Sequence, residues 1–217
     1  MCAAQRLHVA GTDPYPWPFD GEVVGRHLAL VICGAQRSLI DASAGADDVT
    51  TRLDDLARDV RESGGSVVMV RHGHRQGLTR PTASLPLRNS SGWQLGIGVH
   101  DGDLVVDSAG WDGCFGSDLD HSLRSRSLRA VLLAGFASEI TVDSTVRTLN
   151  DRGHECLVLT DACAPLDVGL GTRAHASLTM SGGIFGALGT TVAVHDLLHQ
   201  LRLTACLPHT DPKENTL

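Results

Sequence analysis

Few side chains in this sequence have the type and spacing that chemistry at a protein site requires. His72 and His74 form an H-x-H pair after an apolar stretch, where imidazoles could bind a substrate, accept a proton or hold a metal ion. Asp107, Asp112 and Asp118 could supply an acid or a base. For the histidines we favour a solvated loop, and a polar loop explains the carboxylates equally well.

The cysteines show no paired spacing. The chain has six of them: Cys2, Cys33, Cys114, Cys156, Cys163 and Cys206. Because no two form a C-x-x-C arrangement, the sequence indicates neither a zinc ribbon nor a redox motif. We therefore predict reduced, mostly buried thiols, and we expect no metal site and no cofactor.

The composition narrows the function classes. A length of 217 residues suits one large α/β domain. The net charge is −7, from 18 Lys and Arg against 25 Asp and Glu, and no basic run occurs, so nucleic acid is not an expected partner. No apolar stretch reaches about 18 residues, and the N-terminus lacks the apolar run of a signal peptide. We expect a soluble, cytoplasmic protein that does not bind a membrane.

Strand and helix patterns alternate along most of the chain. Strands are predicted at 28–33, 66–70, 105–106, 129–134, 156–160 and 184–188, and helices at 49–60, 118–126, 142–151, 173–180 and after Thr191. A strand–helix–strand order implies right-handed crossovers and a parallel sheet. We predict a three-layer α/β/α sandwich with a six-stranded, mostly parallel, doubly wound sheet, in which ligands bind at the carboxyl ends of the strands.

Three regions are predicted along the chain. Residues 1–27 form a Pro/aromatic arm, which we expect to be extended because its alternating prolines fix φ and remove amide donors. This arm either covers an edge or a pocket, or it packs as an N-terminal wrapper without chemistry. Residues 28–200 form the domain, and residues 201–217 form a C-terminal tail. Within the domain, the stretch from Arg71 to His100 has no clean period and predicts a long loop with a site beneath it.

One stretch resembles a known family signature. Gly135 to Arg147 is similar to the isochorismatase-like cysteine hydrolase pattern G-x-x-T-(N/D)-x-C-V-x-x-T-x-R. The surrounding segments keep the family's order and spacing from Leu28 to about Leu197: Asp118 to Arg126, Asp151 to Gly153 and Val158 to Asp161. The arm and the Arg71 to Arg75 segment resemble the branch that hydrolyses biuret, ureido and N-carbamoyl compounds. The resemblance therefore implies this fold and a hydrolase ancestry.

The resemblance also assigns the catalytic positions. The family uses a cysteine nucleophile, an aspartate base and a lysine, and these positions hold Thr141, Gly34 and Ser108 in this chain. Removing members of a catalytic unit costs about 10⁴–10⁶ in rate in a hydrolase triad. The resemblance thus implies a degenerate triad that cannot run the family mechanism.

The resemblance implies that parts of the pocket persist. It implies a cis peptide bond at Phe136–Ala137, with the amides of Ala137 and Thr141 forming an oxyanion pocket at a helix N-terminus. Trp93 and Trp111 are expected in loops that overhang this pocket, where aromatic side chains often line ligands.

Other residues are candidate substitutes. Cys114, and less so Cys33, could replace the lost nucleophile, although most lone cysteines fill the core. His72, His74, Phe136 and Trp111 are candidate ligand contacts. Structural packing explains Trp111 almost as well.

Three functions remain open from the sequence. The first is a pseudoenzyme that binds a small carbonyl or ureido ligand, or that serves as a partner subunit of an active homologue, as a homo-oligomer or hetero-oligomer. The second is a repurposed or residual enzyme acting on a C–N bond of an amide or ureido compound, or in specialised metabolism, with recruited residues such as Cys114 or Asp107. The third is an interaction protein with a collapsed pocket.

Overall fold

The computed structural model describes residues 7–21, 25–74 and 86–205. The strands are β1 (Leu28–Cys33), β2 (Ser66–His72), β3 (Leu104–Ser108), β4 (Ala130–Phe136), β5 (Glu155–Ala164) and β6 (Ala187–Gly189). The helices are α1 (Arg37–Ala42), α2 (Ala46–Glu62), α3 (Leu119–Ser125), α4 (Thr141–Asp151), α5 (Val168–Leu178), α6 (Met180–Gly183) and α7 (Thr191–Ala205). All strand pairs are parallel, in the order β3-β2-β1-β4-β5-β6. The predicted α/β sandwich with a doubly wound sheet is confirmed.

Strand β1 lies at the centre of the core and is buried along its whole length. Leu30 and Ile32 belong to the apolar cluster that contains the buried faces of α2 and α7. Val31 and Cys33 belong to a second cluster that contains the buried faces of α3 and α4. Since successive strand residues point to opposite faces of the sheet, helices cover both sides of β1.

The helix spacing predicted for α2 is confirmed. Val49, Leu53, Leu56 and Val60 are all buried, and the helix ends two residues before Gly64. This apolar stripe recurs at every third or fourth residue, as expected for a helix that packs on a sheet.

Several elements extend beyond their predicted bounds. Strand β2 continues through Arg71 and His72 because both pair in register with β3. Strand β5 continues past Asp161, whose carboxylate accepts hydrogen bonds from the Thr191 amide at 2.9 Å and hydroxyl at 2.6 Å. This carboxylate binds the first residue of α7 and satisfies an amide that the helix itself leaves unpaired. Helix α1 was not predicted.

We expect an extended arm, but its described part folds back on itself. It folds back through a bridge between Val9 and Trp17, and Asp13 pairs with Leu188 of β6. Trp17 is fully buried in the core cluster next to α2 and α7. The arm is therefore part of the packed structure.

The last helix extends into the predicted tail, and several other segments lie outside the described residues. Helix α7 runs through Ala205 and so enters the segment predicted as a tail. Residues 1–6, 22–24, 75–85 and 206–217 lie outside the described residues, and with them Cys2, Arg75, Cys206 and part of the predicted 71–100 loop. In the ranges that the structure describes, no helix has the length and apolarity to cross a bilayer.

Burial of the arm's tryptophan leads to a stability prediction. Trp17 is 0% exposed and Phe19 is 75% exposed, although both lie in the arm. We expect Trp17→Ala to lower the free energy of unfolding by about 3–5 kcal/mol, because it leaves a cavity in the core. Phe19→Ala should change it by less than about 0.5 kcal/mol. Urea denaturation of both variants is the measurement, and equal effects would contradict this role of the arm.

Candidate functional site

The strand order reverses between β1 and β4, and in open α/β sheets such a point forms the ligand crevice. Here the two backbones approach closely at their carboxyl ends. A Cβ on Gly135 would lie 1.9 Å from the carbonyl oxygen of Cys33, and a Cβ on Gly34 would lie 2.7 Å from that of Phe136. Gly34 also has a φ of +68°, which L side chains rarely adopt. No side chain can extend from either position without moving the backbone.

At the predicted nucleophile position, the Thr141 hydroxyl contacts backbone carbonyl oxygens. Thr141 begins α4 and is fully buried. Its hydroxyl donates to the carbonyl oxygen of Phe136 at 2.7 Å, and the carbonyl oxygen of Ala137 lies 3.3 Å away. Among the described residues, no carboxylate or imidazole is hydrogen-bonded to this hydroxyl. The arrangement therefore offers it no base.

The two amides expected to form an oxyanion pocket are already paired. The Ala137 amide donates to the hydroxyl oxygen of Ser43 at 3.0 Å, and the Thr141 amide donates to the carbonyl oxygen of Ala137 at 2.9 Å. The prediction of a cis bond at Phe136–Ala137 is wrong, since this bond is trans. Ala137 makes the turn instead, with a φ of +50°. An anion could reach these amides only after Ser43 and the turn had moved.

The predicted lysine position anchors a tight loop. Ser108 ends β3 and is fully buried. Its Oγ lies 2.6 Å from the carbonyl oxygen of Asp112 and 3.0 Å from that of Gly110. Ser108 thereby holds the start of residues 109–117, which we call the cap segment.

Polar contacts tie the cap segment to α4. The Gly113 amide donates to the Thr145 hydroxyl oxygen at 2.8 Å, and the Thr148 hydroxyl donates to the Asp112 carboxylate at 2.9 Å. Asp112 also accepts a hydrogen bond from the amide of Cys114 at 2.9 Å. This carboxylate, predicted as a possible acid or base, therefore has a structural role in folding the segment.

Trp111 gives the cap segment an apolar contact with the core. It is half-buried and packs against the apolar cluster to which Ala35, Phe136 and Ala137 belong. The structure thus brings the predicted ligand contacts Phe136 and Trp111 to the same core cluster, and Phe136 itself is fully buried.

The candidate substitute nucleophiles are poorly reactive. Cys33 and Cys114 are free and buried, and burial raises the pKa of each thiol to about 12. Since the thiolate is the reactive form, neither is a nucleophile near neutral pH. Cys156 and Cys163 are also free and buried, so the prediction of buried thiols is confirmed for the four cysteines that the structure describes.

His72 differs most from its predicted setting. It lies in β2 with no exposed surface, so the prediction of a solvated loop position is wrong. Its Nδ1 lies 3.0 Å from the carbonyl oxygen of Gly110, whereas its Nε2 is buried and has no hydrogen-bond partner in the part of the chain that the structure describes. Burial lowers the pKa of His72 to about 4, although the Gly110 carbonyl and nearby Asp112 oppose this shift. The ring is therefore neutral at pH 7.

The remaining polar candidates near the carboxyl ends of β2 and β3 make structural contacts. The Asp107 carboxylate accepts from the Arg71 guanidinium at 2.7 Å, and this guanidinium lies 3.7 Å from the ring centre of Trp93. Trp93 is only 6% exposed, so it packs rather than overhangs an open pocket. The His74 backbone forms hydrogen bonds with Pro86 and Arg88, and its Nδ1 is buried with no hydrogen-bond partner within the described ranges. The described residues contain no cluster of three or more His, Cys, Asp or Glu side chains that could hold a metal ion.

Three residues that shape this region were not singled out from the sequence. Gln36 is fully buried and bonds both backbone groups of His72, accepting at 2.6 Å and donating at 2.9 Å. The Thr145 hydroxyl oxygen accepts a hydrogen bond from the Gly113 amide of the cap segment, and the Ser43 hydroxyl oxygen accepts one from the Ala137 amide. Gln36 and Thr145 stand at family motif positions, which was an available signal, but nothing in the sequence indicates Ser43.

The buried imidazole predicts a pH dependence of stability. Because the pKa of His72 is about 4 in the folded chain and about 6.5 when unfolded, the unfolded state binds the proton more tightly. This contribution to stability should be complete above about pH 6.5 and fall by up to ~3 kcal/mol as the pH drops to about 4. Urea denaturation across this range should give a shallower slope for His72→Phe than for the unchanged chain. A His74→Gln control should keep the slope, and parallel curves for all three proteins would contradict the assignment.

Comparisons with known proteins agree with this fold and ancestry. The isochorismatase domain family matches residues 28–191. The isochorismatase family protein YecD of Escherichia coli O157:H7 is 30% identical over 155 residues, covering 66% of this chain and 82% of that protein. The ureidoacrylate amidohydrolase RutB of Stutzerimonas stutzeri is 31% identical over 87 residues, covering 38% of this chain and 35% of that protein. A cysteine hydrolase structure from Pseudomonas syringae pv. phaseolicola superposes with a TM-score of 0.72 at 18% identity, covering 82% of this chain and 95% of that one. The chain therefore belongs to the isochorismatase family.

Proposed function

We propose that this chain is a non-hydrolytic member of its family that binds a small carbonyl or ureido compound. The observation that carries the proposal is the state of Thr141, whose buried hydroxyl donates to the carbonyl oxygen of Phe136 at 2.7 Å. A hydroxyl is a weak nucleophile unless an adjacent base removes its proton. A backbone carbonyl cannot serve as that base, so the position cannot start acyl transfer.

The neighbouring strand end supports the same conclusion. A base at position 34 would need a side chain, but its Cβ would lie 2.7 Å from the Phe136 carbonyl oxygen and 3.1 Å from the Leu39 side chain. Position 108 carries no positive charge, since the Ser108 hydroxyl is hydrogen-bonded within the cap segment. The base, the cation and the nucleophile are therefore absent together, and the triad is degenerate.

The ligand class follows from the relatives and from the polar groups that remain. RutB is named as a ureidoacrylate amidohydrolase, and its match to this chain suggests a ureido or amide compound. Three buried polar atoms that have no hydrogen-bond partner among the described residues lie at the carboxyl ends of the strands: Nε2 of His72, Nδ1 of His74 and Oγ of Ser138. An unpaired buried polar atom costs about 1–3 kcal/mol, and a small polar ligand could satisfy it.

A rewired hydrolase has less support. That function would need Cys114 to become a thiolate, yet burial raises its pKa to about 12. In the described part of the chain, no histidine is hydrogen-bonded to the Cys114 thiol. We therefore keep ligand binding as the proposed function.

Ammonia release tests the loss of hydrolysis. The purified chain should release ammonia from amide, carbamoyl and ureido compounds only at background, because no activated nucleophile is present. Thr141→Ala and Cys114→Ser should behave in the same way, with an active amidohydrolase of the family as the positive control. Turnover that either substitution abolishes would contradict the proposal and identify the nucleophile.

The close approach of β1 and β4 predicts that no side chain, including one with a carboxylate, fits at position 34. Gly34 and Gly45 have φ values of +68° and +71°, but a Cβ at Gly45 would meet nothing within 4 Å. Both Gly→Ala variants should lose about 1–2 kcal/mol from the backbone conformation alone. Gly34→Ala should lose a further ~1–3 kcal/mol from overlap with Phe136. Thermal denaturation of the pair is the measurement, and equal losses would mean that the crevice has room for a base.

A further inference from the structure

The strongest unexplained polar atom in this region is Nε2 of His72. The ring has no exposed surface, and Nε2 has no hydrogen-bond partner among the described residues. Buried polar atoms in folded proteins are nearly always paired, so an unpaired one requires an explanation. Ligand binding at this atom provides that explanation.

The hydrogen bond at the other ring nitrogen fixes what Nε2 can do. Nδ1 lies 3.0 Å from the carbonyl oxygen of Gly110, and a carbonyl oxygen only accepts. Nδ1 therefore carries the proton, and Nε2 of the neutral ring carries a lone pair. This atom can accept a hydrogen bond, but it cannot donate one.

Hydrogen bonds and strand pairing also fix the backbone of His72. The Gln36 side chain accepts from the His72 amide at 2.6 Å and donates to its carbonyl oxygen at 2.9 Å. On the other side, His72 pairs in register with Ser108 at the end of β3. A rigid backbone and a fixed tautomer preorganise the acceptor atom, which lowers the cost of binding a partner.

We propose, on the basis of the function proposed above, that Nε2 of His72 accepts a hydrogen bond from an N–H group of an amide or ureido ligand that enters when residues 111–117 of the cap segment lift. The ligand class is thus narrowed from any small carbonyl compound to one with an N–H donor. An acceptor-only ligand, such as a carboxylate or a ketone, would place its lone pairs against that of Nε2.

The contacts of the cap segment permit such a movement. Among the described residues, two hydrogen bonds hold residues 111–117 of this segment to α4: Gly113 with Thr145, and Asp112 with Thr148. Water can replace both of these polar contacts when residues 111–117 lift, while the Gly110 carbonyl oxygen stays hydrogen-bonded to Nδ1 of His72 and keeps the tautomer fixed. Phe115 is 62% exposed, and Trp111 provides the packing of these residues against the core.

Two alternatives for the same atom have less support. A metal ion could use the Nε2 lone pair, but the described residues provide no group of three or more His, Cys, Asp or Glu side chains around one point. A protonated ring that binds an anion is disfavoured because burial keeps the pKa of His72 at about 4. An N–H donor is the partner that fits a neutral, buried acceptor.

The test follows the Nε2 resonance of His72 in the full chain labelled with ¹⁵N-histidine at neutral pH. Acetamide and urea, well below denaturing concentrations, are the donor probes. N,N-dimethylacetamide is the matched control, since it keeps the carbonyl group but has no N–H. We expect acetamide and urea to shift the Nε2 signal saturably and N,N-dimethylacetamide to leave it unchanged.

Substitutions provide a second readout. His72→Phe removes the acceptor, so acetamide should bind about two- to tenfold more weakly, as expected for the loss of one hydrogen bond. His121→Gln, at an exposed position of α3, should bind acetamide like the unchanged chain. If His72→Phe fails to fold, the resonance shifts in the unchanged chain decide the question alone.

The outcomes separate this inference from the function on which it rests. Saturable binding of all three probes with an unmoved Nε2 signal would overturn the role of His72 and leave small-ligand binding intact. A failure of every probe to bind saturably would overturn both. A selective response to the two N–H probes would support both.

Discussion

The close contact between β1 and β4 at their carboxyl ends is the constraint on which the rest of this region depends. Gly135 and Gly34 allow this contact, because a Cβ at either position would meet backbone of the other strand at 1.9 or 2.7 Å. The strand order reverses at this point, where this type of sheet usually opens a crevice. Here backbone atoms occupy that space, so chemistry that needs a side chain at the end of β1 has no place to act.

Most polar groups around this contact have hydrogen-bond partners among the described residues, although the buried Oγ of Ser138 has none there. Thr141 bonds to the Phe136 carbonyl, Ser43 bonds to the Ala137 amide, and Ser108 bonds within the cap segment. Such pairing stabilises the closed form, because each buried group that remained unpaired would cost free energy. His72 is the exception among the central strands, since one ring nitrogen is paired and the other is not. Hydrogen bonds within the chain therefore account for most of the buried polar atoms near this contact, but they do not account for Nε2 of His72.

Local patterns predicted the parts of the fold that depend on apolar periodicity. The bounds of β1 and the buried face of α2 follow from uninterrupted or regularly spaced apolar residues, and both were predicted correctly. His72 was misplaced because strand pairing with β3 overrides its polarity, and pairing depends on residues far along the chain. The trans bond before Ala137 and the partner role of Ser43 depend on how a whole loop packs. A sequence motif does not reveal these features, because they depend on contacts with residues outside the motif, such as Ser43.

The pairing of the arm with β6 has a consequence for synthesis on the ribosome. Asp13 and Leu188 exchange two backbone hydrogen bonds, of 3.0 and 2.8 Å, across nearly the whole chain. Translation proceeds from the N-terminus, so the arm emerges well before its partner strand β6. Trp17, which the folded chain buries completely, cannot take its final place in the core cluster, which includes Ala187 of β6, until that strand is made. The nascent chain thus carries an exposed aromatic residue that a chaperone could bind until β6 emerges.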